Sequence, residues 1–427
     1  MIRRFAFVLT ATVLVACGAE NGSSNPESNG SAMTKPVAAP EAEKRPLEIT
    51  QHGATRIDNY AWMKDPEWQQ VLRDPATLDA DIRAHLEAEG AYYKDQTAAL
   101  EALRKTLFEE MRGRIKEDDA SPPAPDGPYA YYRKFREGGQ YPVFVRTPRD
   151  GGEETVLYDG DKEEGDSPFF DIAAVNHSPN HALVAYGVDR LGSEYFTIGV
   201  RNVETGEDLP DLIESTDGDA VWAADSKSFF YVERDDNQRP KRVKRHILGT
   251  PAAEDRLVYE EPDDGFFLGL GKSQSGRYIF IWSGNQVTSE TRFIPAAVPE
   301  MAPTLIAPRE EDVLYYVDHH GEDFLIRTNA DDAVDFKIVR APVAAPGREN
   351  WTDLVAHEAG TYISNFVPYQ NYFVRSERKD AKPRIVVSGY DGTEHEIDFD
   401  AAAFSLGLSS GYEFDTRTVR VAFESPA

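Results

Sequence analysis

The sequence predicts an all-β fold, a β-propeller of six or seven blades, preceded by a short α-helical arm. From about Ala130 onward, short apolar or alternating runs recur, and a polar turn precedes each one. The first turn-to-turn spacings are 45 and 50 residues, and the later ones range from under 40 to over 50. Periods of about 40–50 residues with about four strands each are typical of propeller blades. The strands that follow these turns are predicted at Ala182–Val188, Phe229–Val232, Tyr278–Trp282, Val313–Val317, Tyr362–Phe366 and Val419–Phe423.

The arm is predicted from helical periodicity ahead of the β region. Apolar residues recur at helical spacing, and Asp74-Pro75 is a helix start signal because Asp is favoured at the cap and Pro in the first turn. Gly113 is expected to end the last helix. The predicted helices are Asp65–Val71, Thr77–Gly90 and Ala91–Arg112. Their apolar face has no evident partner in the sequence, which suggests that the arm packs on something else.

The N-terminus reads as a targeting segment rather than part of the fold. Arg3 and Arg4 precede a short apolar run that ends in Leu14-Val15-Ala16-Cys17, which is similar to a bacterial lipobox. We therefore expect residues 1–17 to be a lipoprotein-type signal peptide, with Cys17 lipidated and the protein held on the periplasmic side of the cell envelope. Residues 18–45 are rich in Gly, Ser, Asn and Pro and predict a disordered linker. The arm then covers 46–117 and the propeller 118–427.

The amino-acid composition excludes some classes of function. Hydrophobic residues make up 41% of the 427-residue chain, which suits a folded protein with a large core. The formal net charge of -28 makes nucleic-acid binding improbable, because phosphate contacts require a positive face. Cys17 is the single cysteine, so no intramolecular disulfide is expected.

The search for catalytic and metal-binding motifs predicts no site residue of either kind. Gly407-Leu408-Ser409-Ser410-Gly411 matches a nucleophile elbow formally, but a strand follows it instead of a helix, and no His follows Ser409. His177 and His181 cannot share a helical face because Pro179 lies between them. His319 and His320 are strand neighbours that point to opposite faces. We expect no catalytic residue, no cofactor and no metal ligand in this chain.

Several stretches taken together resemble the prolyl oligopeptidase family of serine peptidases, most closely its oligopeptidase B branch. The resemblance covers about residues 46–427 in order and without large gaps. It is carried by His52-Gly53, Arg56, Asp58, Tyr60, Trp62, Met63 and Asp65, by Met111–Asp119, by Gln140-Tyr141-Pro142, by Val221-Trp222-Ala223-Ala224-Asp225-Ser226, by Arg239-Pro240, Arg245-His246 and Leu248-Gly249-Thr250, and by Thr288-Ser289-Glu290.

The resemblance implies a seven-bladed β-propeller with a helical arm, followed by a C-terminal α/β-hydrolase domain that carries the catalytic triad. It implies short peptides cleaved after Arg or Lys as substrates, with the propeller screening them by size. On this reading the 427-residue chain is the arm and propeller of a serine oligopeptidase, and we expect it to be inactive alone because no triad position is present.

Two other functions are consistent with the sequence. The first is a stand-alone binding or scaffold propeller in the cell envelope, which a stop codon after Ala427 and a stable monomeric product would favour. The second is a propeller glycosidase or lactonase with a site that converges on the central channel. Linear sequence cannot show such convergence.

Overall fold

The computed structural model describes residues 38–426. The predicted signal peptide 1–17 with Cys17, and the linker as far as residue 37, lie outside the described residues. Within the described part, no helix combines the length and apolar character needed to cross a membrane.

The arm consists of a β-hairpin followed by helices. The hairpin joins β1 (Leu47–Gln51) to β2 (Ala54–Asp58), and the helices are α1 (Trp68–Arg73), α2 (Ala80–Thr97) and α3 (Glu101–Arg112). The predicted break at Gly90-Ala91 is wrong, because α2 continues through both residues. A glycine inside an exposed helix costs only about 1 kcal/mol relative to alanine. α3 ends at Arg112 with Gly113 as its C-cap, as predicted.

Asp79, and not Asp74, caps the long helix of the arm. The Asp79 carboxylate accepts hydrogen bonds from the backbone N–H groups of Asp81 and Ile82. The Asp74-Pro75 signal instead starts a short 3-10 turn at Pro75–Thr77, where Asp74 accepts from the Ala76 N–H.

The remainder is a series of antiparallel sheets, each a propeller blade, and the all-β propeller is thereby confirmed. Within each blade, the strands are hydrogen-bonded to one another in the order in which they follow along the chain. Blades two and three are also joined by one strand pairing, between Thr216 and Glu233. The helix α4 (Gly160–Glu164) connects blades one and two. The strands are β3 (Ala124–Asp126), β4 (Tyr129–Lys134), β5 (Val143–Pro148) and β6 (Thr155–Asp159) in blade one; β7 (Asp171–His177), β8 (Leu183–Asp189), β9 (Phe196–Asn202) and β10 (Asp208–Thr216) in blade two; β11 (Val221–Trp222), β12 (Ser228–Arg234), β13 (Pro240–Ile247) and β14 (Arg256–Glu260) in blade three; β15 (Phe267–Lys272), β16 (Tyr278–Gly284), β17 (Ser289–Pro295) and β18 (Thr304–Leu305) in blade four; β19 (Tyr315–His320), β20 (Asp323–Thr328), β21 (Lys337–Pro342) and β22 (Thr352–Val355) in blade five; β23 (Thr361–Pro368), β24 (Tyr372–Lys379), β25 (Lys382–Gly389) and β26 (Glu394–Glu396) in blade six; and the pair β27 (Ser405–Ser409) and β28 (Arg420–Glu424) at the place of the seventh.

Apolar residues fill the space between neighbouring blades. Between blades three and four, for example, Phe230 packs with Ile279 and Ile294, and all three are completely buried. Burying a side chain of this size contributes about 1.5–3 kcal/mol. Comparable clusters join every other neighbouring pair from blade one to the β27–β28 pair, so the hydrophobic core follows the ring of blades.

The ring closes between the β27–β28 pair and blade one without a shared strand. Leu406 and Val421 of this pair pack on the core of blade six. On the other side, the Arg420 guanidinium donates hydrogen bonds to the carbonyl oxygens of Pro122 and Pro123, just ahead of blade one. Side-chain contacts therefore hold the closure, where many propellers use a strand pairing.

The arm is attached to the ring through α1. Arg73 donates to Ser215 Oγ at 2.9 Å and to Asp236 Oδ1 at 3.1 Å, and its guanidinium lies 4.1 Å from the ring centre of Tyr195. Gln69 adds a hydrogen bond to Asn237. These contacts fix α1 against blades two and three.

Candidate functional site at the channel mouth

A cavity of about 730 Å³ lies where the first strands of blades one to four meet, at the place of the central channel of a propeller. Propeller blades radiate from such a channel, so residues far apart in sequence meet there. The cavity is lined by the C-terminal ends of β3, β7 and β15, by β11, and by the segment Ser410–Asp415 that follows β27. We call this region the channel mouth.

The segment Ser410–Asp415, here termed the plug segment, lies across the channel mouth. Gln274 of blade four donates through Nε2 to the carbonyl oxygens of Ser410 and Glu413, both at 3.3 Å. The Gln370 N–H of blade six donates to the Phe414 carbonyl at 3.0 Å. Arg149 of blade one pairs with the Glu413 carboxylate. The plug segment is thus held by three different blades and narrows this end of the channel.

A cluster of Asp126, His177 and His181 lies beside the plug segment. His177 Nε2 and Asp126 Oδ2 are hydrogen-bonded at 2.6 Å, and Tyr131 stacks on the His177 ring with centroids 3.7 Å apart. Burial opposes the ionisation of Asp126, but the hydrogen bond and charge of His177 outweigh it and lower the pKa of this carboxyl. The Tyr412 ring of the plug segment meets His177 edge-on at 4.9 Å.

The structure brings together two histidines that the sequence argument had separated. Pro179 does exclude a shared helix, but His177 ends β7 and His181 lies in the following turn, so their ring centres are 5.6 Å apart. The sequence offered no signal for Asp126, which lies about fifty residues earlier and on another blade.

The charged side chains that line the cavity are mainly acidic. Asp219 and Asp415 line the cavity together with Asp126 and Glu413, whereas Lys272 is the one Lys or Arg side chain among the described residues that line it. Burial lowers the pKa of the Lys272 ammonium, which donates to the Trp222 carbonyl at 3.1 Å. This lining creates a negative potential that favours cationic ligands.

Ser409, the formal nucleophile-elbow serine, is the last residue of β27 and pairs with Arg420 of β28. The plug segment follows it instead of a helix, so Ser409 does not occupy the strand-to-helix turn that an elbow requires.

Another serine, Ser275, contacts a histidine that the sequence analysis did not associate with it. Ser275 Oγ and His319 Nδ1 are 2.8 Å apart. The His319 Nε2 atom is buried without a hydrogen-bond partner, and burial lowers the pKa of this imidazole to about 4. Because a triad needs a basic His oriented by a third group, this pair does not have the arrangement of a catalytic triad.

The ring of antiparallel blades places this protein in the class of β-propellers. A family model described as "Prolyl oligopeptidase, N-terminal beta-propeller domain" matches residues 40–427. The chain therefore belongs to the prolyl oligopeptidase family, through its N-terminal propeller domain, as the sequence motifs predicted.

Curated relatives and solved structures agree with this assignment. Dipeptidyl aminopeptidase BI of Pseudoxanthomonas mexicana is 36% identical over 92% of this chain and 56% of its own length. Protease 2 of Moraxella lacunata is 28% identical over 90% and 55%. The structure of oligopeptidase B from Leishmania major superposes with a TM-score of 0.84 at 27% identity, over 91% of this chain and 57% of the other. The chain thus spans little more than half the length of these relatives.

Proposed function

We propose that this chain is the substrate-gating propeller portion of a serine oligopeptidase that cleaves short peptides after Arg or Lys. In this proposal a C-terminal hydrolase domain supplies the Ser, His and Asp groups, and the chain alone does not hydrolyse peptides. The hydrolase domain would be an intramolecular partner in the full-length protein.

The observation that carries this proposal is the acidic channel mouth narrowed by the plug segment. Hydrogen bonds from Gln274 and Gln370 hold this segment in place, which supports a gate that admits peptides in preference to folded proteins. The carboxylates of Asp126 and Asp219 favour the approach of peptides that carry Arg or Lys. The curated relatives, whose names denote an aminopeptidase and a protease, support peptides as the substrate class.

The test compares two proteins on one pair of fluorogenic peptides, with Arg or Glu before the scissile bond. The 427-residue chain should hydrolyse neither peptide. The product of the reading frame continued past codon 427 should hydrolyse the Arg peptide at least tenfold faster, and a serine-reactive inhibitor should abolish this activity. Activity of the 427-residue chain, or a continued product without Arg preference, would contradict the proposal.

We also propose that Cys17 carries a lipid anchor on the periplasmic side of the cell envelope. The support is the Leu14–Cys17 lipobox pattern and the linker-like composition of residues 18–45. In a bacterial host that processes lipoproteins, the protein should partition into detergent and incorporate labelled palmitate. Cys17→Ala should remove both properties, and a labelled Cys17→Ala protein would refute the assignment.

A further inference from the structure

We propose that Asp126, His177 and His181 form a Zn²⁺ site that joins blade one to blade two beside the plug segment. One ligand atom from each residue lies within 4.8 Å of the other two. Asp126 ends the first strand of blade one, His177 ends the first strand of blade two, and His181 lies in the turn that follows. A cation at this point would therefore bridge two blades.

Metal binding requires the three ligand atoms, now within 4.8 Å of one another, to move to nearly equal separations. Tetrahedral Zn²⁺ with ligand bonds of about 2.0–2.2 Å holds its ligand atoms roughly 3.3 Å apart. His177 Nε2 and Asp126 Oδ2, now hydrogen-bonded at 2.6 Å, would separate by about 0.7 Å on this geometry. The cation would take the place of the proton that these two atoms share.

His181 distinguishes this cluster from a simple interblade hydrogen bond. The Asp126–His177 pair is complete without it, yet the His181 ring lies only 5.6 Å from the His177 ring. Its Nδ1 is hydrogen-bonded to the Tyr131 hydroxyl at 2.8 Å, which orients the ring and leaves Nε2 as the ligand atom. A Cβ on Gly127 would come within 2.7 Å of that Nε2, so glycine there leaves the ligand atom accessible.

The set of ligand atoms selects the metal. Two imidazoles and one carboxylate suit Zn²⁺ and its neighbours in the first transition row rather than Ca²⁺ or Mg²⁺, which prefer oxygen ligands. Three protein ligands leave a fourth position for water. The Tyr131 hydrogen bond to His181 is an outer contact of the kind that fixes the orientation of a metal-binding imidazole.

The site lies close to the ring closure and to the plug segment. The nearby closure between the β27–β28 pair and blade one rests on side-chain contacts such as those of Arg420. Tyr412 of the plug segment touches both Tyr131 and His177, so the cluster also supports the plug segment. Zinc would stabilise the propeller and reduce opening at the channel mouth.

The experiment is isothermal titration of ZnCl₂ into the metal-free 427-residue chain carrying Cys17→Ser, which removes the single thiol as a competing ligand. We expect one Zn²⁺ per chain, a higher melting temperature with zinc, and the visible bands of a tetrahedral centre when Co²⁺ replaces zinc. His181→Gln keeps the Asp126–His177 bond and should weaken zinc binding at least tenfold.

The matched control is His395→Gln, which removes an exposed histidine of blade six and should leave zinc affinity unchanged. Tyr131→Phe should weaken binding about 10–100-fold while circular dichroism stays native. The proposal is overturned by the absence of saturable binding at one ion per chain. It is equally overturned if His181→Gln and His395→Gln bind zinc alike.

Discussion

At the scale of single residues, the propeller holds several carboxyl groups in partly buried places. Burial raises the pKa of both Asp217 and Asp318 to about 7, and it also raises that of Asp219. Asp318 Oδ1 accepts hydrogen bonds from the backbone N–H groups of Gln274 and His319 at 2.9 and 2.7 Å, so one oxygen satisfies both donors. No side chain among the described residues neutralises this carboxyl by an ion pair within 4 Å. Near neutral pH, these carboxyl groups therefore lower the free energy of unfolding.

Asp318→Asn should stabilise the protein more at pH 8 than at pH 5. The folded chain keeps a proton on Asp318 up to about pH 7, whereas the unfolded chain releases it near 3.8, so this residue makes stability fall as pH rises between those values. Asparagine retains the Oδ1 acceptor and removes the titration. Urea unfolding at pH 8 should show a gain of about 1–3 kcal/mol.

Asp391→Asn is the control for this comparison, because Asp391 lies on an exposed turn and its carboxyl pKa is lowered by hydrogen bonds from Thr393. It should not stabilise the protein at either pH. An equal gain at pH 5 and pH 8 for Asp318→Asn would show that charge burial is not the cause.

At the scale of elements, the β27–β28 pair is the least anchored part of the ring. It has two strands where the other blades have four, and Arg420 connects it to the Pro122 and Pro123 carbonyls. Hydrogen bonds that involve a charged group contribute about 1.5–3 kcal/mol each. Local opening is therefore expected to begin at this seam.

Arg420→Ala should make the closure open more often. Backbone amides of β28 and β3 should exchange hydrogen at least tenfold faster, and limited proteolysis should cut near the plug segment earlier, while blades three to five exchange as before. The control is Arg378→Ala, an exposed arginine of blade six that lies away from the seam. If exchange speeds up uniformly over the ring, Arg420 contributes to global stability and does not hold the seam.

The propeller strands could be predicted from the sequence because each strand is marked by its own residues and by the turn before it. Five of the six predicted strands lie inside an observed strand or within one residue of it at both ends, since alternating apolar residues and polar turns act over short distances. The sixth, Val313–Val317, begins two residues before β19 and ends three residues short of it. The predicted end of a helix at Gly90 is wrong, because the small cost of a glycine inside a helix does not interrupt α2, which continues on both sides of it. Boundaries set by such small energies are the least predictable.

At the scale of the whole molecule, the candidate site depends on ring geometry that no local pattern contains. Asp126, His177 and Lys272 come from three blades and meet because the first strands of all blades surround one channel. Pro179 keeps His177 and His181 off a shared helical face, but a strand end and the turn after it bring their rings to within 5.6 Å of each other. The Ser275–His319 contact between blades four and five was missed for the same reason.

The third helix of the arm, α3, presents an apolar face that the described residues leave exposed. Leu103, Leu107 and Met111 are 54%, 46% and 58% exposed, and every residue of α3 is exposed. A contiguous apolar face of this kind marks an interaction surface. In the proposed full-length oligopeptidase it would pack on the hydrolase domain, whereas in the 427-residue chain it is free to bind dye or a second copy.

Leu103→Lys combined with Leu107→Lys should therefore reduce binding of a hydrophobic dye and shift the chain toward monomer in analytical ultracentrifugation. The free energy of unfolding should change by no more than about 0.5 kcal/mol, because neither leucine is packed. Val334→Lys, at a 73% exposed turn outside the arm, should alter neither measurement. A loss of more than about 2 kcal/mol in the double variant would mean that α3 is already buried against the propeller, and the face could not then serve a separate domain.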